Sequence, residues 1–147
     1  MRPMLHRARG VKIGRGVFIG DDVYLDNEYP ESIEIQERVQ ISIRAVIVAH
    51  TRGPGKVIIG TEAFIGPHVV IACSGGRVLK IGEGAVISAG CVVTRNVPPR
   101  AVLTPAPAQF AGIARVPLTT ARNLEEFYSG LAPLKPGRNP NKAPSVS

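Results

Sequence analysis

The chain has 147 residues, of which 44% are hydrophobic and 20% charged, a composition that predicts one globular domain with a sizeable core. It contains no apolar run near the roughly 18 residues needed to cross a bilayer, and the start "MRPMLHRARG" lacks the apolar block of a secretory signal. We therefore expect a cytoplasmic protein without a membrane partner.

The net charge of +7 would favour binding to a polyanion, but much of the excess of basic residues lies near the two ends of the chain. Residues 1–10 form a basic N-terminal arm that we expect to be solvated. Basic residues are not interleaved with aromatic ones, and tryptophan is absent. We therefore expect no nucleic-acid partner, although a small phosphate-bearing ligand fits the same charge.

The region 11–99 carries a repeat of six residues, seen in "IGRGVF", "IGDDVY", "IGTEAF" and "IGEGAV". Four runs of three blocks can be written from Ile13, Ile35, Ile59 and Ile81, and the first position of every block is aliphatic. Positions five and one of the next block face one side of a strand, whereas positions three and four are polar or turn-forming. This pattern predicts an all-β fold, a parallel β-helix of about four coils with three short strands each.

The sequence after the repeat has a different character, because nine of the thirteen prolines lie from Pro98 onward. We expect residues 100–134 to fold back and to include one short helix, capped by Thr119 or Thr120, within "LTTARNLEEFYSGL". Residues 135–147 read as a disordered tail. The two cysteines, Cys73 and Cys91, lack the spacing of a metal or redox motif and are expected to be buried thiols.

These motifs resemble the hexapeptide-repeat acyltransferases, in particular the branch of maltose, galactoside and other sugar O-acetyltransferases. The resemblance covers about residues 11–99 and is most specific in "IGEGAVISAGCVVTRNVPP", which is similar to the closing coil of that family. It implies a left-handed parallel β-helix, a homotrimer, and acetyl-CoA as the donor, without a metal. After Pro99 the chain departs from the sequence that is typical of the family, and Gln109 stands where a basic residue is expected.

The resemblance also implies a binding site for acetyl-CoA in the groove between two subunits. Ala89 would leave its backbone open to the amides of the pantetheine arm, and Thr94 and Arg95 stand in the closing coil, where Arg95 would suit phosphate. His68 occupies a position that is often polar beside the CoA groove in this family.

His50 is the strongest candidate for a general base, because it stands at the end of an aliphatic run, in the block that precedes the inserted loop "GPGKVI". Acetyl transfer to a hydroxyl needs a base with a pKa near neutrality, which imidazole provides. The resemblance places the catalytic histidine in this same block, usually at the position of Arg52. We assign Arg52 to substrate binding.

One coil earlier, "LDNEYP" should lie beneath His50. The resemblance matches Asp26 to a residue that touches the acceptor, so Asp26 and Asn27 are expected to bind substrate, and Glu28 is expected to orient His50. The predicted activity is acetyl-CoA-dependent acetyl transfer to a hydroxyl or amine of a small acceptor, without an acyl-enzyme.

Two other functions remain open from the sequence. A catalytically silent trimer that binds or scaffolds would account for the altered segment after Pro99. A metal protein similar to the γ-class carbonic anhydrases would use the same helix, but that class binds zinc through three histidines, and here His6 lies outside the repeat.

Overall fold

The computed structural model describes residues 2–133, and three parallel sheets dominate this part of the chain. The first sheet contains β1 (Lys12–Ile13), β4 (Ile33–Ile35), β7 (Lys56–Ile59) and β10 (Val78–Ile81). The second contains β2 (Phe18–Ile19), β5 (Gln40–Ile41), β8 (Phe64–Ile65), β11 (Val86–Ile87) and β13 (Val102–Leu103). The third contains β3 (Tyr24–Leu25), β6 (Val46–Thr51), β9 (Val70–Ser74) and β12 (Val92–Val93).

Successive strands of the chain belong to different sheets, so the backbone winds through the three sheets in turn and stacks as a β-solenoid of about four coils. The strand β13 adds to the second sheet beyond residue 99, where Val102 pairs with Val86. The predicted all-β fold and its number of coils are confirmed.

The six-residue repeat supplies the core. The first positions of the blocks stack in three buried columns, such as Ile35, Ile59 and Ile81 in the first sheet. The fifth positions also point inward and are filled by smaller side chains, such as Val39 and Ala63. Cys73 and Cys91 are buried free thiols, as predicted.

The outer faces of the three sheets differ in chemistry. The first sheet carries a charged set outward, namely Lys12, Glu34, Lys56 and Lys80. The second and third sheets instead carry apolar residues outward, among them Phe18, Tyr24, Phe64, Val70, Val86 and Val92. Val92 is the most exposed of these six, at 69% of its surface. Two sides of the solenoid therefore present apolar surface.

The basic N-terminal arm is a helix, α1 (Arg2–Ala8), and its arginines bind the open edge of the first coil. Arg7 donates to the carbonyl oxygens of Ile13 and Gly14, at 3.1 and 2.7 Å. Two further bonds run from Arg9 to Leu25 O, at 3.0 Å, and from Arg2 to Ile19 O, at 3.5 Å. Each strand of the first coil thus has a carbonyl bonded by an arginine, a role that composition alone did not predict.

A second unit begins at Ala106. It contains an antiparallel pair, β14 (Ile113–Ala114) with β15 (Leu131–Ala132), and the predicted short helix α2 (Leu124–Ser129). The expected cap at Thr119 or Thr120 is wrong: the side chain of Asn123 caps the helix by accepting from the NH of Glu126 at 2.8 Å. The tail predicted for residues 135–147 lies outside the described residues, and no helix within 2–133 is long and apolar enough to cross a membrane.

Candidate active site

The candidate site lies where the chain turns from the third sheet back to the first, which we name the third corner. It comprises residues 26–32, 50–55, 73–77 and 94–96, one segment from each coil. Both the longest strand of the third sheet, β6, and the inserted loop 52–55 belong to it. The third corner is therefore the least regular edge of the solenoid.

His50 projects from a β-bulge in β6. Val48 pairs with Ala72 and Thr51 pairs with Ser74, so Ala49 and His50 together lie opposite the single residue Cys73. Ala49 takes the inward position and is fully buried, while His50 is the extra residue and its side chain is 27% exposed. A bulge re-aims a side chain, and here it directs the histidine to the surface of the third corner where the repeat is interrupted.

The carboxylate of Asp26 lies beneath the bulge and is fully buried. One oxygen, Oδ2, accepts from the NH of Ala49 at 2.9 Å and also bonds Nδ1 of His50. The other, Oδ1, accepts from the NH groups of Glu28 and Tyr29 at 3.0 and 3.2 Å, which closes a turn around the aspartate. Both oxygens are occupied, so Asp26 has no open atom for an acceptor molecule.

These contacts shift both ionisation equilibria toward the ion pair. Burial raises the pKa of Asp26, but the hydrogen bonds from His50, Ala49, Tyr29 and Glu28 outweigh burial, and the pKa is lowered. The hydrogen bond to Asp26 raises the pKa of His50, with a further contribution from the charge of Glu28 and an opposing one from burial. In the neutral imidazole, Nδ1 donates its proton to Asp26, so Nε2 carries the lone pair.

Glu28 lies on the other side of the imidazole. Its Oε2 is 3.6 Å from Nε2 of His50, and its side chain is 70% exposed. Both carboxylates thus lie beside the imidazole: Asp26, expected to bind the acceptor, bonds Nδ1, whereas Glu28, expected to orient His50, lies near Nε2. Tyr29 forms a wall of the site, with its ring centroid 5.4 Å from that of His50 and the two planes tilted by 54°.

The loop after His50 is held by backbone bonds. Gly53 donates to His50 O at 3.1 Å and Gly55 donates to Ala49 O at 2.7 Å. Gly75, in the next coil, donates to Thr51 O at 3.0 Å and lies so close to the loop that a Cβ there would clash with Arg52 O. The glycines of this corner permit that close backbone approach, which fixes the loop beside the histidine.

Two other predicted substrate-binding residues lie in the same region. Asn27 is exposed in the turn between Asp26 and Glu28. Arg52 is exposed in the loop after His50 and has a φ of 63°, a left-handed conformation. The third corner thus brings together five of the predicted site residues, namely Asp26, Asn27, Glu28, His50 and Arg52.

The residues predicted for acetyl-CoA lie on two edges. Thr94 and Arg95 are exposed on the third corner, two coils from His50, which corresponds to roughly 10 Å along the stack. They line a groove of about 350 Å³ with Val92 and Pro98. Ala89 and His68 instead lie in adjacent coils on the corner between the second and third sheets.

His68 differs from His50 in its surroundings. It is an exposed corner residue in the left-handed conformation, with a φ of 56°, and its backbone NH donates to Ile43 O at 3.1 Å. His6 lies in α1. Among residues 2–133 no group of three histidine, cysteine, aspartate or glutamate side chains is arranged to hold a metal ion.

Sequence reasoning missed two parts of this site. Tyr29 is the fifth residue of its block, where the repeat places an inward residue, and this departure could have marked it. The bulge was missed because the repeat shows only that this coil is two residues longer, 24 from Ile35 to Ile59 against 22 from Ile13 to Ile35, and the inserted loop accounts for the same excess.

The chain is similar to a protein of Bacillus subtilis (strain 168) named Putative acetyltransferase YvoF. The two are 33% identical over 93 residues, which amount to 60% of this chain and 52% of that protein. The chain therefore aligns with about half the length of this relative. No protein-family model matches the chain, and neither does a solved structure.

Proposed function

We propose that this protein is an acetyltransferase that moves an acetyl group from acetyl-CoA to a hydroxyl of a small acceptor. The observation that carries the proposal is the pairing of His50 with the buried carboxylate of Asp26, which fixes one tautomer and leaves Nε2 directed to the surface. The similarity to a protein named as an acetyltransferase and the β-solenoid fold support the same activity.

In the proposed reaction His50 is the general base. Nε2 takes the proton from the acceptor hydroxyl as its oxygen attacks the thioester carbonyl. The carbon–oxygen bond forms, the carbon–sulfur bond breaks, and the imidazolium returns the proton to the leaving thiolate. Asp26 acts as a positioning residue, since it holds the ring and stabilises the imidazolium without touching the acceptor.

The free thiols do not supply an alternative nucleophile. Cys73 and Cys91 are buried, and their sulfur atoms lie near the carbonyl oxygens of Arg77 and Leu103, at 3.3 and 3.7 Å. A reactive thiol needs exposure and a nearby positive charge or base. We therefore propose direct transfer without an acyl-enzyme.

For the donor we propose that Thr94 and Arg95 hold the phosphate-bearing part of acetyl-CoA. Both are exposed on the corner that carries His50, and Arg95 forms no ion pair within residues 2–133. The groove beside them includes apolar surface from Val92 and Val93, which suits a pantetheine arm. Ala89 and His68 lie on the neighbouring corner, and we propose that they contact a donor bound in the groove between two subunits.

We propose a homotrimer as the working form. The outer faces of the second and third sheets carry Phe18, Tyr24, Phe64 and Val92 as exposed side chains, which a monomer would leave in water. The charged outer face of the first sheet is suited to solvent. A trimer that buries the two apolar faces would also place neighbouring subunits beside the third corner, which borders the third sheet.

The decisive test is a matched pair of histidine variants. His50→Ala should reduce turnover by roughly 100- to 10,000-fold, the contribution of a positioned general base, with acetyl-CoA binding retained. His68→Ala, at an exposed corner, should change turnover little. Steady-state transfer measures the effect and thermal melting controls for folding. Full activity of His50→Ala would refute the catalytic assignment, and failure of the parent protein to bind acetyl-CoA by calorimetry would favour a silent binding or scaffold protein.

A further inference from the structure

The surface beside His50 presents two hydrogen-bond acceptors close together. With Nδ1–H donating to Asp26, Nε2 offers a lone pair, and Oε2 of Glu28 lies 3.6 Å away. That distance is too long for a direct hydrogen bond between them. Both groups are accessible, since the side chain of Glu28 is 70% exposed and that of His50 is 27% exposed.

A single hydroxyl cannot satisfy both acceptors, because it has only one proton to donate. When the reacting hydroxyl of an acceptor donates to Nε2, the carboxylate of Glu28 still faces the neighbouring part of the same molecule. A carboxylate that loses water without gaining a donor is destabilised. A second donor next to the first would replace the water that the bound molecule displaces from Glu28.

A protonated amine could donate to both groups at once, but it has no lone pair with which to attack a thioester. The proposed function makes the hydroxyl the reacting group at Nε2, so we place the protonated amine at the second position. Donors on adjacent carbons in a gauche arrangement lie about one hydrogen-bond length apart, so they can reach Nε2 and Oε2 together.

We infer, on the basis of the proposed function, that the acceptor carries a second donor on the carbon next to the one that bears the reacting hydroxyl, and that Glu28 selects it. The acceptor class is thus a vicinal diol or a 1,2-amino alcohol. The wall formed by Tyr29 confines such a molecule on one side of the imidazole.

The experiment compares acceptors that differ only in the second donor. Acetyl transfer from acetyl-CoA is measured with the full chain for a panel of methyl glycosides, their mono-deoxy forms and their 2-amino-2-deoxy forms, after the acetylated position has been identified by NMR. The parent protein is compared with Glu28→Gln. Glu83→Gln, an exposed carboxylate on another corner, is the matched control.

For the parent protein and Glu83→Gln, removal of the donor adjacent to the acetylated hydroxyl should lower kcat/KM roughly ten- to a hundredfold, as expected for loss of a hydrogen bond to a charged group. For Glu28→Gln the same removal should cost less than about threefold, because a neutral amide bonds the donor more weakly. A higher kcat/KM for the amino compounds than for the diols would identify an ammonium at the second position. A higher kcat/KM for the diols would identify a hydroxyl there.

If the parent protein gives equal kcat/KM for an acceptor and for its adjacent-deoxy form, the inference is overturned. It is also overturned if removal of the adjacent donor lowers kcat/KM as much in Glu28→Gln as in the parent protein. Absence of transfer to every compound, with acetyl-CoA bound in calorimetry, would also overturn it and would leave donor binding intact. If acetyl-CoA itself does not bind, the proposed function fails and the inference fails with it. The calorimetric measurement thus separates the two failures.

Discussion

Asp26 and His50 belong to different coils, yet the carboxylate of one holds the imidazole of the other through Nδ1. The same carboxylate oxygen accepts from the NH of Ala49, so the position of the ring is tied to the backbone of its own bulge. The stacking of two coils therefore determines which ring nitrogen faces outward.

Asp26→Asn should lower turnover by roughly 100- to 10,000-fold, because the amide has one acceptor and one donor end in place of two acceptors. An NH2 group facing Nδ1 would favour the opposite tautomer, with the proton on Nε2, where the base must be free. Steady-state transfer at saturating acetyl-CoA measures the loss. Thermal melting is the control, and turnover within threefold of the parent value would contradict the positioning role.

Activity should rise with pH through the pKa of His50, since only the neutral imidazole can accept a proton. The hydrogen bond to Asp26 raises this pKa, and the negative charge of Glu28 adds to the effect. Glu28→Gln removes that charge, disfavours the imidazolium and should move the acidic limb of the kcat profile to lower pH. Glu83→Gln should leave it in place. A limb that moves to higher pH in Glu28→Gln would show that the charge of Glu28 does not raise the pKa of His50.

Arg95→Ala should raise KM for acetyl-CoA roughly tenfold with little change in kcat, because a phosphate contact remote from the thioester stabilises ground and transition states alike. Arg15→Ala is the matched control, since Arg15 is exposed on another corner. Initial rates over a range of acetyl-CoA concentrations separate the two constants. An unchanged KM would mean that Arg95 does not contact the donor.

Light scattering should give a mass three times the 15.6 kDa of the chain. Val92→Asp should dissociate this assembly, because it places an unpaired charge on the apolar outer face of the third sheet. Lys80→Asp, on the charged face of the first sheet, should leave the trimer intact. A parent protein that stays monomeric at working concentration would refute the trimer and the placement of subunits beside the third corner.

The double change Arg7→Ala and Arg9→Ala should lower the melting temperature by roughly 2 to 8 °C, because charged donors are removed from carbonyl oxygens of the first coil. Arg122→Ala is the control. Its ion pair with Glu126 is confined to neighbouring turns of the second unit and should matter less. Equal melting temperatures for the double variant and the parent would show that water replaces these bonds without loss.

The solenoid could be predicted from the sequence because each block of six repeats the same alternation of buried and exposed positions. The burial of Ile35, Ile59 and Ile81 follows from this alternation, because each is the aliphatic first position of its block. The position of His50 in an irregular segment could also be predicted. Its partner could not, because Asp26 and Glu28 are both carboxylates in one turn, and their roles depend on side-chain directions that the bulge changes.

The same limit applies to the N-terminal arm. Arg2, Arg7 and Arg9 look like solvated charge in the sequence, since nothing in their spacing shows which carbonyl oxygens they meet. Their role follows from the geometry of a stack, in which the first coil has an edge without a neighbouring coil. The Asn123 cap of α2 was missed for a similar reason, since Thr119, Thr120 and Asn123 all precede the same helix.

The arginines of the N-terminal arm bear on the growth of the stack in one dimension. A stack of parallel coils offers, at its end, the same pattern of acceptors to another molecule that it offers to its own next coil, and a head-to-tail contact of this kind does not close but extends into a fibre. Arg2, Arg7 and Arg9 occupy one carbonyl on each of the three strands at that end. A strand from a second molecule would have to displace a guanidinium group on each of the three sides, so we expect the basic N-terminal arm to oppose the growth of such a fibre.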